Sequence, residues 1–413
     1  MKGDRSRSPR RKLEMFCFEV MLLFCAVVLL GGCASVGDKV TETPRRDDSV
    51  SGVKRGLVVL VEFPDVRHSI DRRYALKRFG ELDGYVQEMS YHRVRIETDV
   101  TEKWHRMPHP VSYYKISPRN LEVDKSRVTN LIRDALDAVE RNVDLARYDF
   151  VALFLGAQRQ EYGMIGLCGY PGMLGWGSQD ILKTRGGQRI RGGVAIFCYQ
   201  AHLGTLFHDV AHILGGLKDG KRVLPCLYDH DLQAKPGPLR ETFLGAIVNM
   251  GLWDPMSCHY NKWEDPPPGV SSWTKLRMNW IDPSKVSLIN PGEKREIVLG
   301  PLAESSSNVL VIKIPLSPTT CYLIENRQPV GFDRFVPGKG VLIMYADDNV
   351  PECRHGNAPV KLVNADPRAA HLQGAAFDVG KKDSFVDEKN GVRMKILESV
   401  GSSYKILVSR GRG

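Results

Sequence analysis

The 413-residue sequence is best introduced by what it does without. It carries no nucleic-acid-binding motif and, past residue 33, no run of five or more basic residues. A formal charge of +10 therefore does not mark a nucleic-acid partner. No segment repeats at a fixed period, which sets aside solenoids and propellers. The apolar run Val20 to Leu30 is too short to span a bilayer comfortably as a permanent helix. What is present is globular: 42% hydrophobic and 26% charged residues, with length for two or three domains.

The short apolar run follows a basic stretch (Lys2, Arg5, Arg7, Arg10, Arg11, Lys12) and closes on Leu30-Gly31-Gly32-Cys33. Residues 1–33 resemble a bacterial lipoprotein leader with its lipobox, which makes Cys33 the lipidated first residue of an exported, membrane-anchored protein. Without the leader the net charge falls to about +7 of the chain's +10, mild enough to suit an anionic membrane nearby. Residues 34–54 are polar and read as a flexible tether. Six cysteines then remain (Cys168, Cys198, Cys226, Cys258, Cys321, Cys353), an even number that suits disulfides in an exported chain.

From residue 55 to about 290 strands and helices interleave. Leu57 to Phe63, Val94 to Val100, Phe150 to Leu155 and Val194 to Cys198 read as strands. Tyr74 to Met89 reads as a helix, and so does the stretch bearing Val128, Leu131, Ile132, Ala135 and Val139. Residues 156–193 are glycine-rich and read as surface loop. An α/β (α+β) domain follows from that order. After residue 290 the pattern becomes short strands separated by turns, which predicts a β-sandwich-like domain over 291–413. Trp253, Trp273 and Trp280 read as core, and Glu325 and Arg327 as structural contacts of a strand.

Between these regions lies Gly204-Thr-Leu-Phe-His208-Asp209-Val-Ala-His212-Ile-Leu-Gly215. Its apolar residues recur at helical spacing around a buried helix, and Gly215 offers a stop. His208 and His212, four apart, stack their imidazoles one turn above the other. An acid after the first histidine makes this the half-site of a zinc hydrolase, although that acid is normally Glu and here is Asp209. A pair of helix histidines alone is common without metal. The company it keeps is more specific.

Gly251-Leu-Trp-Asp254-Pro-Met256-Ser257 looks like the Met-turn of the metzincins, with Met256 at its centre. Trp273-Thr-Lys-Leu-Arg-Met-Asn-Trp280, Leu323-Ile-Glu325-Asn326-Arg327-Gln328, Gly331-Phe-Asp333 and Leu60-Val-Glu-Phe-Pro-Asp65 fit one further pattern. Over roughly residues 57–350 the chain resembles the immune-inhibitor-A-like family of secreted zinc metallopeptidases. The resemblance implies a metzincin-like fold, zinc on His208 and His212, Asp209 as catalytic base and an acidic third ligand. The third position aligns in two ways. With an eight-residue insertion from Gly216 to Val223, Cys226 occupies it; with a short gap, Asp219 does. Asp219 is taken as the ligand, because one extra loop residue is easier to absorb than a change of ligand type. The turn's position beneath the loop leaving the helix further implies a Cys226–Cys258 disulfide. Asp229, His230 and Asp231 offer a calcium or second zinc candidate beside the alternative of a solvated loop.

The resulting expectation is a lipid-anchored zinc endopeptidase acting on protein or peptide substrates, with no nucleic-acid partner. The competing reading is a pseudopeptidase of the same fold serving as a binding lipoprotein. Oligomeric state is not set by the sequence.

Overall fold

The structure, a computed structural model, describes residues 50–116, 123–175, 180–232 and 244–412. The leader, Cys33 and most of the tether lie outside the described residues. Among the described residues no helix is long and apolar enough to cross a membrane.

The chain folds as a mixed α/β structure with several sheets and few helices. Strand β1 (Gly52–Glu62) is followed by helix α1 (Arg72–Met89), then β2 (Val94–Val100), the short β3 (His105–Arg106) and the one-turn α2 (Val111–Tyr114). Helix α3 (Lys125–Val139), β4 (Phe150–Leu155), the short α4 (Arg159–Tyr162), β5 (Gly166–Tyr170) and β6 (Gly193–Cys198) complete the first layer. The sheet runs β2-β1-β4-β6-β5, with β3 also on β1. Every pairing is parallel except that of β5, which lies antiparallel on β6 at the edge. β4 and β6 are buried on both faces, which is why they read as unbroken apolar runs. Alternate residues divide between two cores: Val58, Leu60, Ala152 and Phe197 face α1 and the histidine helix, whereas Val59, Val61, Leu153 and Ile196 face α3. Asp71 and Asp124 cap α1 and α3 with their carboxylates.

Helix α5 (Leu203–Gly215) carries the histidines and leads into a two-residue-stranded hairpin, β7 (Leu217–Lys218) and β8 (Lys221–Arg222). The helix closes one residue later than Gly215 suggests: Gly216 takes the positive φ of 64° while its N–H still bonds His212 O at 3.1 Å. Helix α6 (Ser272–Arg277) follows the loop that bears Met256.

The C-terminal region is β-rich. One sheet orders β14 (Val360–Leu362), β13 (Gly340–Asp347), β12 (Thr320–Arg327), β11 (Val311–Pro315) and β9 (Val286–Leu288). A second orders β10 (Lys294–Leu299), β17 (Ser403–Arg410), β16 (Val392–Val400) and β15 (Ser384–Asp387). Ile312, Ile324 and Ile343 of the first share a core with Ile297, Met394, Ile406 and Val408 of the second. The opposite face of the first sheet is also buried: Val311, Leu323, Leu342 and Met344 pack in the core that holds α1 and α5. Residues 47–413 accordingly form one compact unit. Trp253, Trp273 and Trp280 are all interior, at 0%, 3% and 0% exposure.

Candidate functional site

Helix α5 is buried on all sides from Gly204 to Ile213, so its apolar residues pack around it rather than along one stripe. Its N-cap is His202, whose Nδ1 accepts from Gly204 N at 3.0 Å while Nε2 lies 2.9 Å from Asp265 O. Gly204 is required by contact: a Cβ there would lie 1.7 Å from His259 O. Phe207 packs edge-on against Tyr85 of α1 at 4.8 Å. These contacts fix the rotation of the helix and hence the aim of its polar residues.

His208 and His212 point into one pocket of the interior, with 2% and 1% exposure. Their rings are perpendicular, and their Nε2 atoms stand 3.0 Å apart. Each Nδ1 faces a backbone carbonyl, His208 that of Pro255 at 3.0 Å and His212 that of Leu224 at 2.6 Å. Those carbonyls can only accept, so both Nδ1 atoms carry hydrogen and both Nε2 atoms present lone pairs. Cys226 completes the group, its Sγ lying 3.5 Å from one Nε2 and 3.4 Å from the other. Among the described residues this is the group of His, Cys, Asp and Glu side chains close enough together that it could hold a metal ion.

The cluster is electrostatically coherent. Burial works against a Cys226 thiolate, but the pull of His212 and Arg222, together with the two Nε2 atoms close to the sulfur, outweighs it and lowers the thiol's pKa well below its ordinary range. Burial lowers the basicity of His208, and Cys226, Asp209 and the Pro255 carbonyl reverse that into a rise. For His212 burial prevails and its pKa falls.

Asp209 is buried beside the pair and turns toward β5: its Oδ2 would lie 3.1 Å from a Cβ built on Gly166. That oxygen has no hydrogen-bond partner. Burial pushes the carboxyl up to about 7, against the opposing pull of His208.

The turn around Met256 lies beneath both segments that bear the cluster. Pro255 O receives His208, and Met256 O receives the N–H of Leu227 at 2.8 Å, next to Cys226. Asp254 shapes the turn, accepting from Met256 N at 2.8 Å, Ser271 N at 2.8 Å and Thr274 Oγ1 at 2.7 Å.

Two expectations are corrected. Asp219 is not at the site. It sits exposed at the tip of the β7–β8 hairpin with φ 50°, followed by Gly220 at φ 71°. Two successive positive φ values in a two-residue loop make the type I′ turn that Asp-Gly favours. The apparent insertion therefore folds out as a hairpin, and the chain returns in register to place Cys226 beside the histidines. The Cys226–Cys258 disulfide is also not formed. Both residues belong to one small apolar cluster, but Cys226 Sγ faces the imidazoles and Cys258 Sγ donates to Tyr260 O at 3.2 Å. All six cysteines after Cys33 are free thiols.

The Asp229 and Asp231 carboxylates are engaged by the connection after β13. Asp229 accepts from Gly356 N at 2.8 Å and Asp231 N at 2.9 Å, and Asp231 from Arg354 Nη1 at 3.0 Å and His355 N at 2.9 Å. They clasp that connection to the loop bearing Cys226. Arg222, Glu352 and His259, which surround the cluster, were not singled out in the sequence. His259 stacks obliquely on His208 at 4.4 Å and meets Thr205 Oγ1 at 3.0 Å. Its place just past the Met256 turn was the available signal; Glu352 had none nearby.

No protein-family model matches this chain, and no curated protein matches it either.

Proposed function

We propose that this protein is a metzincin-like zinc metallopeptidase, exported and held at a membrane by lipid on Cys33, with zinc bound by His208, His212 and Cys226. The observation that carries the reading is the convergence of the His208 and His212 Nε2 atoms, 3.0 Å apart, with the Cys226 sulfur in one buried group. Three converging electron-pair donors in a buried site are a favourable place for a cation. The spacing suits zinc. A tetrahedral ion with nitrogen at roughly 2.0–2.1 Å and sulfur at roughly 2.3 Å sets N···N near 3.3 Å and N···S near 3.6 Å. The separations here are 3.0, 3.4 and 3.5 Å. The carbonyls of Pro255 and Leu224 orient the rings as outer partners of metal-bound histidines do.

Three protein donors leave a tetrahedral ion one open position, the arrangement of a catalytic rather than a structural site. Zinc held there supplies Lewis acidity toward a carbonyl and lowers the pKa of water. Asp209 supplies the proton acceptor: Oδ2 is unpartnered, and a carboxyl near 7 can take up a proton and give it back at neutral pH. The shorter reach of Asp favours a slow peptidase. It also sustains the second reading, a pseudopeptidase that keeps its metal and binds protein without cutting it.

Metal analysis of the purified full chain tests the site. About one zinc per chain is expected, lost in His212→Ala and Cys226→Ala, with casein hydrolysis that a chelator stops. A protein that takes up no zinc near neutral pH ends the metallopeptidase reading. Zinc without turnover selects the binding lipoprotein. Membrane partition of Cys33→Ser tests the anchor, which is wrong if partition and leader cleavage are both unchanged.

A further inference from the structure

The loop that leaves the β7–β8 hairpin carries two parts of the histidine cluster, the Leu224 carbonyl on His212 Nδ1 and the Cys226 sulfur. Residues 223–231 form neither helix nor strand, so no ladder of their own fixes where those two groups lie. The backbone N–H groups of Leu227, Asp229 and His230 all donate outside the loop, to Met256 O at 2.8 Å, Ala246 O at 2.7 Å and Cys353 O at 3.0 Å. The last of these acceptors belongs to the connection between β13 and β14, which grips the loop at both ends. In front, Glu352 pairs with Arg222 through Nε at 2.9 Å and Nη2 at 2.7 Å. Behind, a tight turn receives two carboxylates. Arg354 and Asn357 exchange N–H···O bonds of 3.0 and 2.8 Å around His355 at φ 53° and Gly356 at φ 74°. Two positive φ values in a two-residue loop make a type I′ turn, and successive N–H groups of a turn form a concavity that suits an anion. His355 N donates to Asp231 Oδ2 at 2.9 Å and Gly356 N to Asp229 Oδ2 at 2.8 Å.

We propose that Asp229 is a positioning residue for the metal site: seated on that turn of the C-terminal sheet, it holds the Cys226 sulfur and the Leu224 carbonyl against the histidines. The inference rests on the metal-site reading above. Asp229 is fully buried and stands three residues after Cys226. Both its oxygens are committed, Oδ1 to Asp231 N at 2.9 Å and Oδ2 to Gly356 N. Carboxylate bonds to backbone N–H groups are roughly twice as strong as neutral ones. Asp231 makes the outer, more exposed half of the clasp, with Oδ1 on Arg354 Nη1 at 3.0 Å. His355 keeps a positive φ without being glycine, a conformation that persists only where its surroundings enforce it. The clasp acts by placement. The sulfur lies 3.4 and 3.5 Å from the two Nε2 atoms, and metal–ligand distances tolerate a drift of only about 0.2 Å. The C-terminal sheet thereby takes part in the site.

Cobalt(II) loaded into the full chain in place of zinc gives the test. Its sulfur-to-cobalt charge-transfer band reports the sulfur, and its d–d bands report every bound ion. The native protein is expected to show both. In Asp229→Asn one N–H of the clasp meets an amide NH2 instead of an oxygen, and metal affinity falls about 10- to 100-fold, the size typical of a lost outer partner. At saturating cobalt the sulfur band weakens relative to the d–d bands, because ions held by the histidines and water alone join the population. Asp124→Ala supplies the comparison: it removes the cap of α3, which packs in the other core, and lowers stability while leaving affinity and band ratio unchanged. Asp231→Asn moves the ratio the same way by less. If Asp229→Asn does not fold, Asp231→Asn decides by that ratio. An unchanged ratio, or equal losses of affinity in Asp229→Asn and Asp124→Ala, overturns the clasp. A native protein that binds no cobalt, or binds it without a sulfur band, overturns instead the metal site on which the inference rests.

Discussion

Two buried polar clusters lie on either side of the Met256 turn, and they are built to opposite rules. Around Arg327, which is fully buried, every donor is used. Nε and Nη2 reach Asp333 at 2.8 and 2.6 Å, Nη1 reaches Glu325 at 3.1 Å and Trp253 O at 3.2 Å, and Nη2 also reaches Gly269 O at 2.7 Å. The second oxygen of Glu325 accepts from Ser272 N at 2.6 Å. Five guanidinium hydrogens find five acceptors, and the cluster ties β12 to the turn under the histidines. Around His208 the reverse holds. Two Nε2 atoms and a sulfur crowd together at 3.0 to 3.5 Å with both Nδ1 hydrogens already used, and Asp209 Oδ2 is left without a partner. Interiors normally satisfy their polar groups, so a satisfied cluster explains itself as structure, and an unsatisfied one asks for a ligand.

The largest effect should come from breaking the closed cluster. Arg327→Met strands Glu325 and Asp333 in the interior and should destabilise by about 3–5 kcal/mol. Denaturant unfolding measures it, and the folded fraction should still bind metal. A loss below 1 kcal/mol would mean that the two carboxylates simply take up protons. By contrast Cys226→Ala in metal-free protein should change stability far less, because Arg222 keeps its ion pair with Glu352 and no charged partner is stranded.

Next in size is Asp209. Lengthening it to Glu should raise peptidase activity by about 10²-fold if reach is the sole defect, and Asp209→Ala should abolish turnover. A fall in Asp209→Glu would show that the backbone already brings Asp into range. No turnover in either form would leave the binding reading.

The contrast between clusters was only half legible in the sequence. The strands of the first sheet and helices α3 and α5 could be read because burial on one or two faces imposes its period on the residues. β5 could not, since Gly166-Leu-Cys-Gly-Tyr carries two glycines and no alternation. His208, His212 and the Met256 turn were found because their spacing is local. Glu325 and Arg327 were rightly read as structural. Cys226, the third member of the histidine cluster, was weighed and set aside for Asp219, because the decision lay in the turn chemistry of Asp219-Gly220, a short hairpin signal outweighed by a preference for an acidic ligand. Glu352, 130 residues from Arg222, left no local trace at all.

The closed cluster has one loose neighbour, which offers a smaller test. Lys275 is buried, with Nζ 2.6 Å from Met89 O and over the Tyr91 ring at 3.9 Å. Burial pushes its pKa down to about 7, against the pull of Asp333, from an ordinary 10.5. Between those values the unfolded chain binds more protons than the folded one, so stability should rise with pH across that window and be lost as pH falls toward 7. Lys275→Met should flatten the rise. Equal slopes in the two proteins over pH 7 to 10 would show that this amine stays charged when folded.

The smallest expected effect is at Asp219, and its smallness is the point. Exposed at the hairpin tip, Asp219 touches neither histidine, so Asp219→Asn should leave zinc content unchanged, and Asn-Gly suits the turn at least as well. Asp219→Ala should also keep its metal, while costing stability by about 1–2 kcal/mol for a side chain held at positive φ without a local hydrogen bond. Cys226→Ser supplies the opposing arm, because a hydroxyl in that position is a far poorer anion than a thiol and the zinc should be lost. The two substitutions separate the alternatives cleanly: loss of zinc in Asp219→Asn with retention in Cys226→Ser would return the acid to the ligand set and mean that the hairpin folds back over the histidines when metal binds.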